Sequence, residues 1–165
     1  MKIPQQGVPA DQLFEQVEAY RADDMPWRDG RTWAYVYDAG PEVEEVAKRA
    51  YLAYLSDNAL DPTAFPSLMR FENDVVAMSI DLLRGGPDVV GNFTSGGTES
   101  CMLAVKTARD HARATRPHIT RPKMIMPVTT HAAFQKAAHY FDVEMVTTPV
   151  DPVTYRADVQ AMADA

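Results

Sequence analysis

The sequence predicts an α/β chain in which a helical N-terminal segment leads into the first part of a domain built on a mostly parallel sheet. Three observations carry that reading. In the second half, short apolar runs of strand length alternate with helical stretches of about ten to fifteen residues, the rhythm of βαβ crossovers. In the first half, apolar residues recur at the spacing of one helix face. At the join stands "VVGNFTSGGTESCMLAVKTARDHAR", Val89 to Arg113, where two adjacent glycines separate a β-like run from a strongly helical one.

Each element follows from its residues. "DQLFEQVEAYRADD" places Leu13, Phe14, Val17 and Tyr20 on one helix face. "MPWRDGRTWAYVYDAG" is rich in Pro, Gly and aromatics and reads as a non-helical segment whose rings anchor a loop or a subunit contact. Pro41 suits the first turn of a helix, which "EVEEVAKRAYLAYL" continues through Val43, Val46, Ala47, Ala50, Tyr51 and Tyr54. The Asp-Pro and Phe-Pro steps of "SDNALDPTAFP" break the pattern. A long helix is expected from Pro66 to Leu83, with Leu68, Phe71, Val75, Met78 and Leu82 on one side, until "RGGPD" stops it. Then come strand "VVGNFT", helix "TESCMLAVKTARDHAR", strand "KMIMPV", helix "HAAFQKAAHYF", strand "VEMVTTP" and a final helix in "RADVQAMADA". The expected division is residues 1–65, helical and aromatic-rich, and residues 66–165, the opening of the α/β domain. Three strands with exposed edges do not make an independent sheet domain, so an incomplete one is expected.

Composition narrows the function. The chain has 165 residues, 46% hydrophobic and 24% charged, which is ordinary globular usage. Its net charge of -7, without any Lys/Arg-rich block, argues against a nucleic-acid or anionic-membrane partner. Cys101 is the single cysteine, so neither a disulfide framework nor a multi-cysteine zinc site is available. No apolar run approaches the roughly 20 residues needed to span a bilayer, and the start lacks the plan of a signal peptide. A soluble, cytoplasmic protein without a membrane segment is expected.

The glycine pair has a chemical reading. At the carboxyl end of a strand, paired glycines let backbone N–H groups approach a ligand, and the following helix N-terminus adds open donors and partial positive charge. That combination suits a phosphate, and Thr98 brings a hydroxyl to the same place. The plainer alternative, a turn at Gly96 and Gly97 with Thr98 capping the helix, fits the spacing equally well. No Gly-Lys-Ser/Thr follows the glycines and no GxGxxG is present, so the nucleotide motifs are absent. His131, after "KMIMPV" and two threonines, would lie near the same carboxyl edge, where an imidazole could stack on a planar ligand or simply start a helix. No two histidines have the HExxH spacing of a zinc site. A cysteine hydrolase using Cys101 and His131 is disfavoured, because Cys101 falls on a helix among Met102 and Leu103, where a thiol serves packing.

"GNFTSGGTESCMLAVKTARDHAR", then "PVTTHAAFQKAAHYFDVEMVTTPVD", with "NALDPTAFPSLMRFENDVV" upstream, resembles the sphingosine-1-phosphate lyase branch of the group II pyridoxal-phosphate-dependent decarboxylases. The resemblance runs from about Tyr37 to the end of the chain and corresponds to the N-terminal portion of the family. It implies a type I aminotransferase-like fold, pyridoxal 5'-phosphate as cofactor, a small-molecule substrate and a homodimer with active sites at the subunit boundary. It assigns the cofactor phosphate to Gly97 and Thr98, and pyridine stacking to His131. The aromatic N-terminal segment would wrap a partner subunit.

The same resemblance implies a Schiff-base lysine and an aspartate at the pyridine nitrogen, both in family segments beyond residue 165. The lysines here are Lys2, Lys48, Lys106, Lys123 and Lys136, and none follows a histidine as the family's cofactor lysine does. No catalytic residue is therefore assigned in this chain, which is expected to be inactive alone. The complete protein would break a carbon–carbon bond, by loss of carbon dioxide or by retro-aldol cleavage. A non-catalytic cofactor- or phosphate-binding fragment that pairs with another chain is the alternative. Where the phosphosphingoid lyases carry Asn-Pro-Leu-His-Pro, this chain has "NALDP": Asn58 matches as a substrate contact, but Asp61 replaces the histidine. A carboxylate there repels a phosphorylated substrate, so an amino acid or another amine-bearing skeleton is expected.

Overall fold

The computed structural model describes residues 3–165 and divides into two compact units, one reaching to Asn58 and one from Ala59 to Ala165.

The first unit holds helix α1 (Ala10–Tyr20), a short 3-10 turn at Trp27–Asp29 and helix α2 (Pro41–Ala53). Pro41 occupies the first turn of α2 as its fixed φ allows, and Glu42 and Glu44 place negative charge at the helix's positive end. Arg28 Nη2 meets Glu44 Oε1 at 2.7 Å, Lys48 Nζ meets the same oxygen at 3.0 Å, and the Arg28 guanidinium lies 4.2 Å from the Trp27 ring centre. Trp33, Tyr35 and Tyr37 in the connecting segment are exposed.

The second unit runs α3 (Pro66–Leu82), α4 (Gly97–Thr115), β1 (Lys123–Pro127), α5 (Ala132–Phe141), β2 (Glu144–Thr148) and α6 (Val159–Asp164). Helix α3 ends in a Schellman motif: Gly85 N–H donates to Ile80 O at 2.8 Å, Arg84 N–H to Asp81 O at 2.9 Å, and Arg84 takes the left-handed conformation at φ 57°. Gly85 is required by close approach, since a Cβ there would stand 2.8 Å from Ile80 Cγ2.

β1 and β2 pair in parallel, with Lys123 opposite Glu144, Ile125 opposite Val146 and Pro127 opposite Thr148. Helix α5 makes the crossover. The buried apolar residues described are Val105, Ala133, Ala137, Ala138 and Val143, with Met102, Met124, Phe134 and Phe141 packed around Val105, Ala137 and Val143. Alanines on α5 let α4 approach closely, and the seam is pinned by Arg109, whose guanidinium donates to Phe141 O at 2.9 Å and lies 5.2 Å from the Phe141 ring centre.

Two expectations are corrected. Val89–Thr94 is not a strand: it forms no ladder with β1 or β2, and strand character is a property of pairing that an apolar run alone does not supply. It packs instead toward α3, with Gly91 close to the Val76 side chain. The last helix starts at Val159 instead of Arg156, because Asp158 caps it by accepting Ala161 N–H at 2.9 Å while Ala157 bridges to Val150. Among the described residues no helix is long and apolar enough to cross a membrane.

Candidate functional site

The glycine pair lies at the very start of α4: Gly96 is the N-cap and Gly97 the first helical residue, and no side chain caps the helix. Thr98 is exposed, and its hydroxyl has no hydrogen-bond partner among the described residues, so it does not play the capping part that its position permits. Backbone conformation does not demand either glycine. Gly96 is extended at φ 166°, Gly97 is helical, and neither is among the positive-φ glycines, which are Gly30 and Gly40. Packing does not demand them either, because a Cβ at Gly96 or Gly97 would meet nothing within 4 Å. What the two missing side chains leave is open space beside a row of uncapped backbone N–H groups.

The loop is shaped by two clips that sequence reasoning did not find. Glu99 Oε2 accepts from Ser95 N–H and from Ser95 Oγ, both at 2.7 Å. These bonds hold the Glu99 carboxyl below the usual carboxylate range. Thr94 Oγ1 and Ser100 Oγ stand 2.6 Å apart, and Thr94 Oγ1 donates to Gly96 O at 3.2 Å. The signal in the sequence is a serine four residues before a glutamate, one residue longer than the spacing of a capping box.

His131 is the N-cap of α5. Its Nδ1 accepts the Ala133 N–H at 3.1 Å, which puts the ring proton of the neutral imidazole on Nε2 and turns that edge away from the helix end. The imidazole is exposed.

The helix pair brings these ends together. Arg109 lies twelve residues after Gly97 and Phe141 ten after His131, so the contact between them sits about 18 and 15 Å down two helices that run in the same sense. Gly97 and Thr98 therefore share one end of the α4–α5 pair with His131, the end at which β1 finishes. At the same edge of the sheet, Thr148 Oγ1 is buried with no hydrogen-bond partner among the described residues. Asn58 belongs to the first unit and the other three to the second. Asp61 closes its own turn, accepting from Thr63 N–H at 2.8 Å and Thr63 Oγ1 at 2.6 Å, which keeps its carboxyl below the usual range.

The donor set suits an anionic, planar group: uncapped N–H groups and an unused hydroxyl at one helix start, an imidazole edge at the other. Every described lysine is already engaged. Lys48 pairs with Glu44, Lys106 with Asp110 and Lys123 with Glu144, while Lys136 Nζ rests 5.5 Å from the Tyr140 ring centre; Lys2 lies outside the described residues. Cys101 is half-buried on α4. Among the described residues no group of three or more His, Cys, Asp or Glu is gathered for a metal ion.

No protein-family model matches the chain. The sphingosine-1-phosphate lyase of Dictyostelium discoideum is 37% identical over 164 residues, covering 99% of this chain and 30% of that protein. A probable L-aspartate decarboxylase of Pyrococcus furiosus is 29% identical over 163 residues, covering 97% of this chain and 40% of that one. Among solved structures, the sphingosine-1-phosphate lyase of Burkholderia pseudomallei superposes with a TM-score of 0.81 at 33% identity, over all of this chain and 39% of that chain. The glutamate decarboxylase of Lactobacillus brevis gives 0.76 at 24% identity, over 99% of this chain and 38% of that one, a likeness of fold. The fold is thus that of the pyridoxal-phosphate-dependent lyases and decarboxylases, here with a small parallel sheet. Within them the chain belongs to the sphingosine-1-phosphate lyase-like branch of the group II decarboxylases, and it spans about 30% of the length of the curated lyases it matches.

Proposed function

We propose that this chain supplies the cofactor-phosphate-binding part of a pyridoxal-phosphate-dependent carbon–carbon lyase or decarboxylase acting on an amino acid or another amine-bearing substrate. The observation that carries the reading is the start of α4, where two glycines needed neither for conformation nor for packing stand beside uncapped N–H groups and the unused Thr98 hydroxyl. Gly97 and Thr98 would hold the phosphate through backbone N–H groups and Oγ1, with the helix dipole favouring the anion. His131 would lie against the pyridine ring, its orientation set by the Ala133 contact. Pyridoxal phosphate, when bound, supplies an electron sink for the carbanion left by bond cleavage.

Asn58 would contact the substrate. The ionised Asp61 disfavours a phosphorylated substrate, which supports an amino acid or another amine-bearing substrate. None of Lys2, Lys48, Lys106, Lys123 and Lys136 follows a histidine as the family's cofactor lysine does, so no Schiff-base lysine is assigned within the stretch, which is expected to be inactive alone. The working protein is read as a cytoplasmic homodimer.

Equilibrium dialysis of the full protein against pyridoxal phosphate tests the reading. Gly97→Asp puts a carboxylate against the phosphate and is expected to weaken binding about tenfold or more. Unchanged affinity would rule out the phosphate assignment.

A further inference from the structure

We propose that Glu99 is a positioning residue that builds the anion cradle before the anion arrives, an inference that rests on the phosphate reading of the preceding section. A glutamate at the third position of a helix ordinarily reaches back to the N-cap N–H. Glu99 holds that third position, but its carboxylate reaches one residue further, to the N–H and Oγ of Ser95, both at 2.7 Å. The offset has a consequence for the donors. The carboxylate takes the outer N–H of Ser95, and no side chain takes the inner N–H groups of the helix start. An ordinary capping box would have spent one of them.

Conformational entropy favours the same role for the clip. Gly96 and Gly97 have more conformations to lose than any other pair, and a ligand that had to order them on binding would bind more weakly. The Ser95–Glu99 clip, seconded by Thr94 and Ser100 at 2.6 Å, fixes the chain on either side of the glycines in advance. The Glu99 carboxyl, held below the usual carboxylate range by the Ser95 bonds, accepts both donors at once. A carboxylate at the rim opposes an incoming anion, so the clip is useful only if ordering outweighs that repulsion, and this decides the sign of the test.

The test compares Glu99→Ala, Glu99→Gln and Ser95→Ala in the full protein. Affinities are measured for pyridoxal phosphate and for inorganic phosphate by equilibrium dialysis, with hydrogen exchange across residues 95–98 without ligand and melting temperature alongside. Glu99→Ala should weaken both ligands about tenfold and speed exchange in the loop, Glu99→Gln, which keeps the acceptor, should stay within about threefold, and Ser95→Ala should fall between. Wild-type affinity in Glu99→Ala, even with a lowered melting temperature, would reduce the clip to a structural cap and overturn the proposal. Tighter binding would make Glu99 a competitor of the anion, and equal losses in the Gln and Ala variants would make charge the cause; either overturns it. Should Glu99→Ala fail to fold, wild-type affinity in Ser95→Ala does the same. Failure of the phosphate reading is separately visible, as wild-type protein that does not bind or a Gly97→Asp variant that binds unchanged.

Discussion

His131 and Ala133 are joined by a hydrogen bond of 3.1 Å from the Ala133 N–H to the imidazole Nδ1, so the residue proposed to meet the cofactor ring also starts helix α5. The two roles separate by substitution. Asn at position 131 can still cap the helix, whereas Ala cannot. His131→Ala is expected to cost about 1 kcal/mol of stability and His131→Asn much less, while both weaken pyridoxal phosphate binding. Thermal melts beside cofactor titrations check this; cofactor affinity unchanged in both would confine His131 to capping.

Arg109 is expected to matter for stability out of proportion to its distance from the site. Its side chain is 14% exposed, donates to Phe141 O and covers the Phe141 ring. Arg109→Ala leaves the end of α5 with an open carbonyl and should cost about 1.5–3 kcal/mol in denaturant unfolding, with no change in m-value. A loss under about 0.5 kcal/mol would show that the alanine seam holds the helices without it.

Thr148 carries a buried hydroxyl without a partner among the described residues. Thr148→Val keeps the shape and removes that unsatisfied group. Stability is expected to hold or to rise by about 1 kcal/mol. A clear loss, read from the same unfolding curves, would mean that the hydroxyl is bonded in the working protein.

Glu44 gives a pH signature in the first unit. The side-chain hydrogen bonds from Arg28 and then Lys48 lower its pKa from 4.5 to about 2. A lowered folded pKa stabilises above the unfolded value and loses that contribution as pH falls through the folded one. The Arg28–Glu44 contact is therefore complete at neutral pH, weakens below about 4.5 and is gone near 2. Acid titration of Glu44→Gln should lack this step; an identical profile would show that the exposed pair adds nothing.

The helices were readable because proline and apolar spacing are local signals: Pro41 and Pro66 open α2 and α3 as their rings require, and the Val105 face of α4 recurs at helical intervals. Val89–Thr94 was misread as a strand because a strand exists only with its partner, and nothing in six residues announces one. That Gly97, Thr98 and His131 stand at helix starts could be read from residue type and spacing. The Ser95–Glu99 clip could not, since it lies one residue off the familiar spacing, and the left-handed Arg84 stands where a glycine would have been named first.

The register of β1 against β2 also bears on how the chain comes together. Lys123 and Glu144 are paired across only 21 residues of sequence, with the crossover helix in between. Closing so short a loop costs little entropy, and contacts of low sequence separation form early. The stretch from β1 to β2, carrying all of the buried alanines described, is expected to be the first part of the second unit's core to form as the polypeptide is made. The imidazole of His131, at the head of the crossover helix, would be set in place as that pairing forms.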